Sequence, residues 1–157
     1  MNRKKAIQLY NDLKVLCSGL ILVGSTLRGK EDDIQNLDLI CVGKIFPMHL
    51  FPLGELDTHP KIVKPEILLL KYRGESVYIH RADKNKLGAM ILHLTGPKEY
   101  SIYTRTVAKK KGLKLNQYGL FKGDRCIASK TEKEILSALG LKHLEPAERN
   151  RFRSIKM

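Results

Sequence analysis

Two apolar runs, Leu20 to Val23 and Leu37 to Val42, flank the stretch Gly24-Ser25-Thr26-Leu27-Arg28-Gly29-Lys30. Both runs are apolar enough to be central strands, so the glycine–serine turn between them sits at the edge of a buried sheet. That position suits a phosphate. Glycine lets the backbone come close, the Ser25 hydroxyl and nearby N–H groups can hydrogen-bond it, and Arg28 adds a charged fork with Lys30 beside it. Asp38, on the second run, could hold a divalent ion against that phosphate. The same residues also suit an ordinary strand–turn–strand, and the pattern alone leaves both open. Glu31, Asp32 and Asp33 read as a solvated acidic turn.

Helical spacing of Ala6, Leu9, Tyr10, Leu13 and Leu16 predicts a first helix over residues 2–17. Residues 43–60, punctuated by Gly43, Pro47, Pro52, Gly54 and Pro60, predict a loop-rich excursion. Ile62 to Tyr72 and Ser76 to Arg81 read as two strands about Arg73-Gly74-Glu75. A helix follows near 84–94, punctuated by Thr95-Gly96-Pro97, and another over 98–112 ends in Lys109-Lys110-Lys111 with Gly112 as its stop. Lys114 to Phe121 has strand character, Lys122-Gly123-Asp124 is a turn, and Arg125 to Ala128 is the partner strand. Thr131-Glu132-Lys133-Glu134 is a capping box opening a helix that Gly140 ends.

The net charge of +13 points to a polyanionic partner, nucleic acid before an anionic membrane surface, although a protein can also simply be basic. The charge is uneven: residues 1–93 carry a net +4 and residues 94–157 a net +9. The second part is therefore the better candidate for gripping a phosphate backbone. No segment has the apolar length of a membrane span, and the N-terminal stretch reads as an amphipathic helix rather than a signal peptide. Cys17, Cys41 and Cys126 lie far apart in apolar runs, so neither a disulfide framework nor a zinc site is expected. A reducing intracellular compartment is the simpler expectation.

Taken in order, these motifs resemble family X DNA polymerases, in particular the minimal viral kind made of palm and thumb alone. Gly24-Ser25-Thr26-Leu27-Arg28-Gly29 is similar to the family's phosphate-binding motif, and His93-Leu94-Thr95-Gly96-Pro97 to the switch between palm and thumb. Lys109 through Phe121, Thr131 through Gly140, and Pro146-Ala147-Glu148-Arg149 resemble the thumb. The resemblance covers residues 1–150. It implies an α+β fold: a nucleotidyltransferase palm with a mixed β-sheet over residues 1–93, and a small basic α+β thumb over 94–157. It also implies that Arg105 lies near the template's minor groove, with Tyr118 in the same thumb segment.

The family's chemistry needs clustered carboxylates, because two divalent cations about 4 Å apart must be neutralised and aligned. The resemblance implies three aspartates, two as Asp-x-Asp on one strand and a third on its neighbour. Here the first slot is Asn36 and the second is Asp38. The third falls on Tyr78 when counted back from Thr95-Gly96, or on His80 when anchored on the hairpin turn. Neither is a carboxylate. The expectation is a pseudo-enzyme with no cofactor, in which Asp38 would bind Mg2+ only if catalysis survives. Rescue would need Glu31, Asp32, Asp33 or Asp83 to move inward, or His80 to bind a metal.

The expected function is non-catalytic binding of DNA or RNA. Arg105, Lys109, Lys110, Lys111, Lys114 and Lys122 are the expected phosphate contacts, joined by Tyr118 and by Arg149, Arg151 and Arg153 of the tail. Gly24, Ser25, Arg28 and Lys30 are left to hold the phosphate of a nucleotide or strand end. The competing functions are a gap-filling polymerase that depends on Asp38, and a scaffold that docks another protein through the old cleft.

Overall fold

The computed structural model describes residues 1–14, 17, 19–29, 34–42, 61–64 and 66–154. They divide into two compact units, Met1–Ala82 and Asp83–Met157. The expected boundary after residue 93 falls inside a helix of the second unit.

The first unit is a mixed five-stranded sheet with a helix on one face. Helix α1 (Arg3–Leu13) is capped by Asn2, whose side chain accepts from the Lys5 N–H. It is shorter than expected and lays Ala6, Leu9 and Leu13 on the sheet. The strands are β1 (Leu20–Val23), β2 (Asn36–Val42), β3 (Lys61–Lys64), β4 (Ile67–Tyr72) and β5 (Glu75–Ala82), in the spatial order β1-β2-β5-β4-β3, and a single helical turn, α2 (Ser25–Arg28), follows β1. Among the described residues only β2 and β5 run parallel. Their core face carries Leu37, Leu39, Cys41, Val77 and Ile79, with Leu70 and Tyr72 from β4. Because side chains alternate along a strand, Asn36 and Asp38 share the opposite face with Ser76, Tyr78 and His80.

Two expectations change here and one is met. The run expected as one strand over Ile62 to Tyr72 folds back on itself as β3 and β4, with Pro65 between them in the sequence. The β4–β5 turn is the expected one, and Arg73 and Gly74 both take positive φ, the two-residue geometry that matches strand twist. The cysteine expectation is overturned, because Cys17 and Cys41 form a disulfide with Cα atoms 6.2 Å apart. They are 24 residues apart in sequence. The antiparallel pairing of Leu20 with Cys41 closes that distance once the Leu20 N–H bonds the Cys17 carbonyl. The loop expected over 43–60 lies outside the described residues.

The second unit packs three helices on a three-stranded antiparallel sheet. After a 3-10 turn (Lys84–Lys86) come α3 (Leu87–Thr95) and α4 (Lys98–Lys110). Then follow β6 (Lys114–Asn116), β7 (Gly119–Lys122), β8 (Arg125–Ala128), α5 (Glu132–Ala138) and a 3-10 tail (Pro146–Ser154). The strand expected over Lys114 to Phe121 is two strands, turned at Gln117 and Tyr118, where the Asn116 side chain accepts from the Tyr118 N–H. Thr131 caps α5 as expected, its hydroxyl oxygen accepting from the Glu134 N–H at 3.1 Å. Leu92, Tyr100, Leu115, Leu120, Ile135, Leu136 and Leu139 make the core.

Gly88 is the tightest point of this unit. Its N–H donates to the Lys130 carbonyl, and a Cβ there would stand 2.3 Å from backbone atoms of Thr131. Backbone cannot step aside as a side-chain end would. Alanine in a helix is ordinarily worth about 1 kcal/mol over glycine. Here overpacking outweighs it, so Gly88→Ala is expected to destabilise by about 1–3 kcal/mol, read as a lower urea midpoint. An unchanged midpoint would mean that α3 does not pack on Thr131.

Candidate nucleic-acid interface and degenerate metal centre

The glycine–serine motif folds as a tight turn into a single helical turn. Gly24 sits at φ 78°, ψ −154°, backbone open to glycine almost alone, and it caps α2 (Ser25–Arg28). Gly29 closes the turn in the left-handed region. Val23, immediately before Gly24, pairs with Asp38 across β1 and β2, so the sheet register brings the motif to the one retained aspartate. Arg28 is buried, and Arg3 Nε donates to the Thr26 carbonyl at 3.1 Å. Gly24, Ser25 and Arg28 are thus gathered in one turn, and Lys30 lies outside the described residues.

Beside this turn stand the slots of the metal centre that the resemblance implies. On β5, Tyr78 pairs with Asp38, and His80 lies two residues on along the same face. His80 Nε2 is 3.5 Å from Asp38 Oδ1, and that carboxylate is 35% exposed. The choice between Tyr78 and His80 as the third slot is therefore immaterial, since both face the Asp38 side and neither carries a carboxylate. A pair of magnesium ions, which the resemblance implies, wants several hard, charged oxygens. Asn36, Asp38, Tyr78 and His80 supply one formal charge and do not fit the pair. Among the described residues no group of three His, Cys, Asp or Glu side chains could hold a metal ion. Asp83 is exposed ahead of the 3-10 turn, and Glu31, Asp32 and Asp33 lie outside the described residues.

The second unit carries the cations. Lys109 and Lys110 end α4, and with Lys111 they present three exposed ammonium groups at the helix's negative pole. Lys114, Lys122 and Arg105 are also exposed, and Arg105 Nη2 is 2.7 Å from His93 Nδ1. Tyr118 is 40% exposed on its turn. Arg151 is exposed and packs its guanidinium 5.6 Å from the Phe152 ring centroid, while the side chain of Arg153 lies outside the described residues.

Arg149 is the correction. It was expected to contact phosphate, yet it is fully buried. Its Nε and Nη2 donate to the Leu144 carbonyl at 3.0 and 2.8 Å, and its Nη1 to Glu132 Oε2 at 2.6 Å. The guanidinium lies 5.2 Å from the centroid of the Tyr100 ring. Burial is the largest influence on that phenol and raises its pKa above the usual 10.0, although Arg149 pulls the other way. Arg149 ties the tail to α5 and α4 and reaches no solvent. Sequence reasoning missed this because an arginine-rich tail looks alike whether its members face in or out. The signal that was available is Glu132 in the first turn of α5, a carboxylate beyond the capping box's own need.

Comparisons with known proteins fit this geometry. A sequence model of the DNA polymerase beta thumb matches residues 90–150. The repair DNA polymerase X of African swine fever virus is 31% identical over 148 residues, 87% of this chain and 84% of that protein. DNA polymerase IV of Saccharomyces cerevisiae is 44% identical over 66 residues, 42% of this chain and 11% of that protein. The structure of Leishmania infantum polymerase beta in a ternary gap complex superposes with a TM-score of 0.80 at 17% identity, covering 96% of this chain and 70% of that one. A relative matched at this identity over most of both chains decides the matter: the chain belongs to the family X DNA polymerases.

Proposed function

We propose that this protein binds nucleic acid through its basic thumb without metal-dependent nucleotidyl transfer, a polymerase scaffold that has kept its grip and lost its ions. The observation that carries the reading is the metal centre, where Asp38 stands beside His80 and Asn36 in place of an aspartate cluster. An asparagine keeps the shape of an aspartate and loses the charge that attracts the ion. With a second loss on the adjacent strand, where Tyr78 or His80 stands, one formal charge is left where the transfer needs several. The exposed cations of the second unit supply binding that needs no ion. The partner is DNA, the substrate in the names of the relatives. RNA offers the same phosphates to such a thumb, and its 2′-hydroxyls are what would tell the two apart.

A second reading is gap filling by residual catalysis. It is favoured by relatives named repair DNA polymerases and by the retained Asp38 beside Gly24 and Ser25. Primer extension on a one-nucleotide gap, with magnesium and then manganese, separates the two. The expected result is no extension by the native chain or by Asp38→Ala, while both shift the labelled gapped duplex at low salt. Extension by the native chain that Asp38→Ala abolishes would overturn the non-catalytic reading and direct the search for further ligands to Glu31, Asp32 and Asp33.

A further inference from the structure

We infer that Tyr118 and Lys86 form a stacking platform for an unpaired base, so that the second unit holds single-stranded nucleotides next to a duplex. The inference rests on the proposed nucleic-acid binding and adds to it a specific site and a specific form of ligand.

The site is built on a fixed turn. Tyr118 sits at the tip of the β6–β7 hairpin, its N–H held by Asn116 Oδ1 at 2.8 Å. A Cβ on Gly119 would stand 2.9 Å from Cys126 Sγ and 3.1 Å from Ser129 Cβ, so this tip lies directly against β8 and the residue after it. The Ser129 hydroxyl in turn donates to the Asn85 carbonyl at 2.6 Å, which fastens the 3-10 turn to the same place. That fastening sets Lys86 Nζ 5.6 Å from the centroid of the Tyr118 ring. Lys84 and Lys130, the exposed chain neighbours of the bonded Asn85 and Ser129, add positive charge on both sides of that bond. The ring is 40% exposed, which leaves part of its surface open to a flat ligand.

An aromatic plane among lysines selects its ligand chemically. Every base has a π-face, and stacking on a tyrosine needs no particular sequence, while the ammonium groups meet the flanking phosphates. A base inside a duplex has both faces taken by its neighbours and is held by its pair, so an unpaired base, free to turn a face outward, is the form that fits the ring. The turn is already ordered, and little freedom is lost on binding.

The chain contains no tryptophan, so Tyr118→Trp places a single tryptophan at the site, which can be excited selectively above the tyrosine absorption. Its emission is expected to be quenched by a single-stranded oligonucleotide and by a duplex with an overhang. An abasic oligonucleotide of equal length and charge, or a blunt duplex, should quench it far less. In parallel, Tyr118→Leu is expected to weaken binding of the single strand about tenfold and of the blunt duplex less than twofold. Equal quenching by abasic and natural strands, or equal losses of Tyr118→Leu on both ligands, would overturn the platform. Salt-dependent binding of blunt duplex would then still stand and would leave the proposed function intact. Failure of the native chain to bind any of these ligands would overturn both.

Discussion

Replacing Arg149 with methionine is expected to unfold the second unit at a much lower temperature while leaving the contacts of exposed lysines untouched. The side chain is fully buried and meets two oxygens, the Leu144 carbonyl through two N–H groups and Glu132 through a third. Methionine refills much of the volume but donates nothing. The Leu144 carbonyl loses both of its guanidinium donors, and Glu132, 16% exposed, loses its cation. Removing one partner of a buried pair costs about 3–5 kcal/mol. At about 4–8 °C per kcal/mol for a unit of this size, the melting temperature should fall by roughly 12 °C or more. Arg149→Lys keeps the charge but lacks the planar fork, so it should fall between the two. Thermal unfolding followed by circular dichroism decides this. A variant that melts like the native chain but has lost salt-dependent affinity for DNA would return Arg149 to the nucleic-acid interface, where the sequence had placed it.

The contrast between Arg149 and Arg151 shows what a sequence can and cannot disclose. Local patterns were legible. The apolar runs became β1 and β2, Arg73-Gly74 became a two-residue turn, and Thr131 capped its helix as its position required. Each depends on neighbours a few residues away. What the sequence hid depends on distant partners. Gly88 is small because Thr131 lies against it, 43 positions along, and nothing around Gly88 announces that. Cys17 and Cys41 meet only because β1 pairs antiparallel with β2. The hairpin at Tyr118 lay concealed in a continuous strand-like run. In the metal centre the residue types themselves, Asn36, Tyr78 and His80 around Asp38, were readable without coordinates. The fold added the register, which puts both third-slot candidates on the same face, and the 3.5 Å approach of His80 to Asp38.

Converting Lys109, Lys110 and Lys111 together to alanine is expected to cause the largest loss of nucleic-acid affinity available without touching the core. The three side chains are exposed at the C-terminal end of α4, where each ammonium can release a counterion from the nucleic acid. Alanine is the best helix former, so the backbone of α4 should survive, although the lysines' favourable interaction with the helix's negative end is lost. With about 0.9 in the salt slope for each neutralised phosphate of B-DNA, three contacts would reduce the slope by up to about 2.7. The gap between native and variant affinities should then close by about 40-fold between 50 and 200 mM salt. Fluorescence anisotropy across a salt series reads this directly, with circular dichroism confirming that the variant is folded. An unchanged slope would show that these lysines merely solvate a helix end. The remaining exposed cations, Arg105, Lys114 and Lys122, would then become the next set to remove. A slope reduced by about 0.9 would mean that only one of the three reaches the backbone, which single substitutions would identify. A full reduction would locate the proposed grip in the thumb, within residues 90–150 that the polymerase beta thumb model matches.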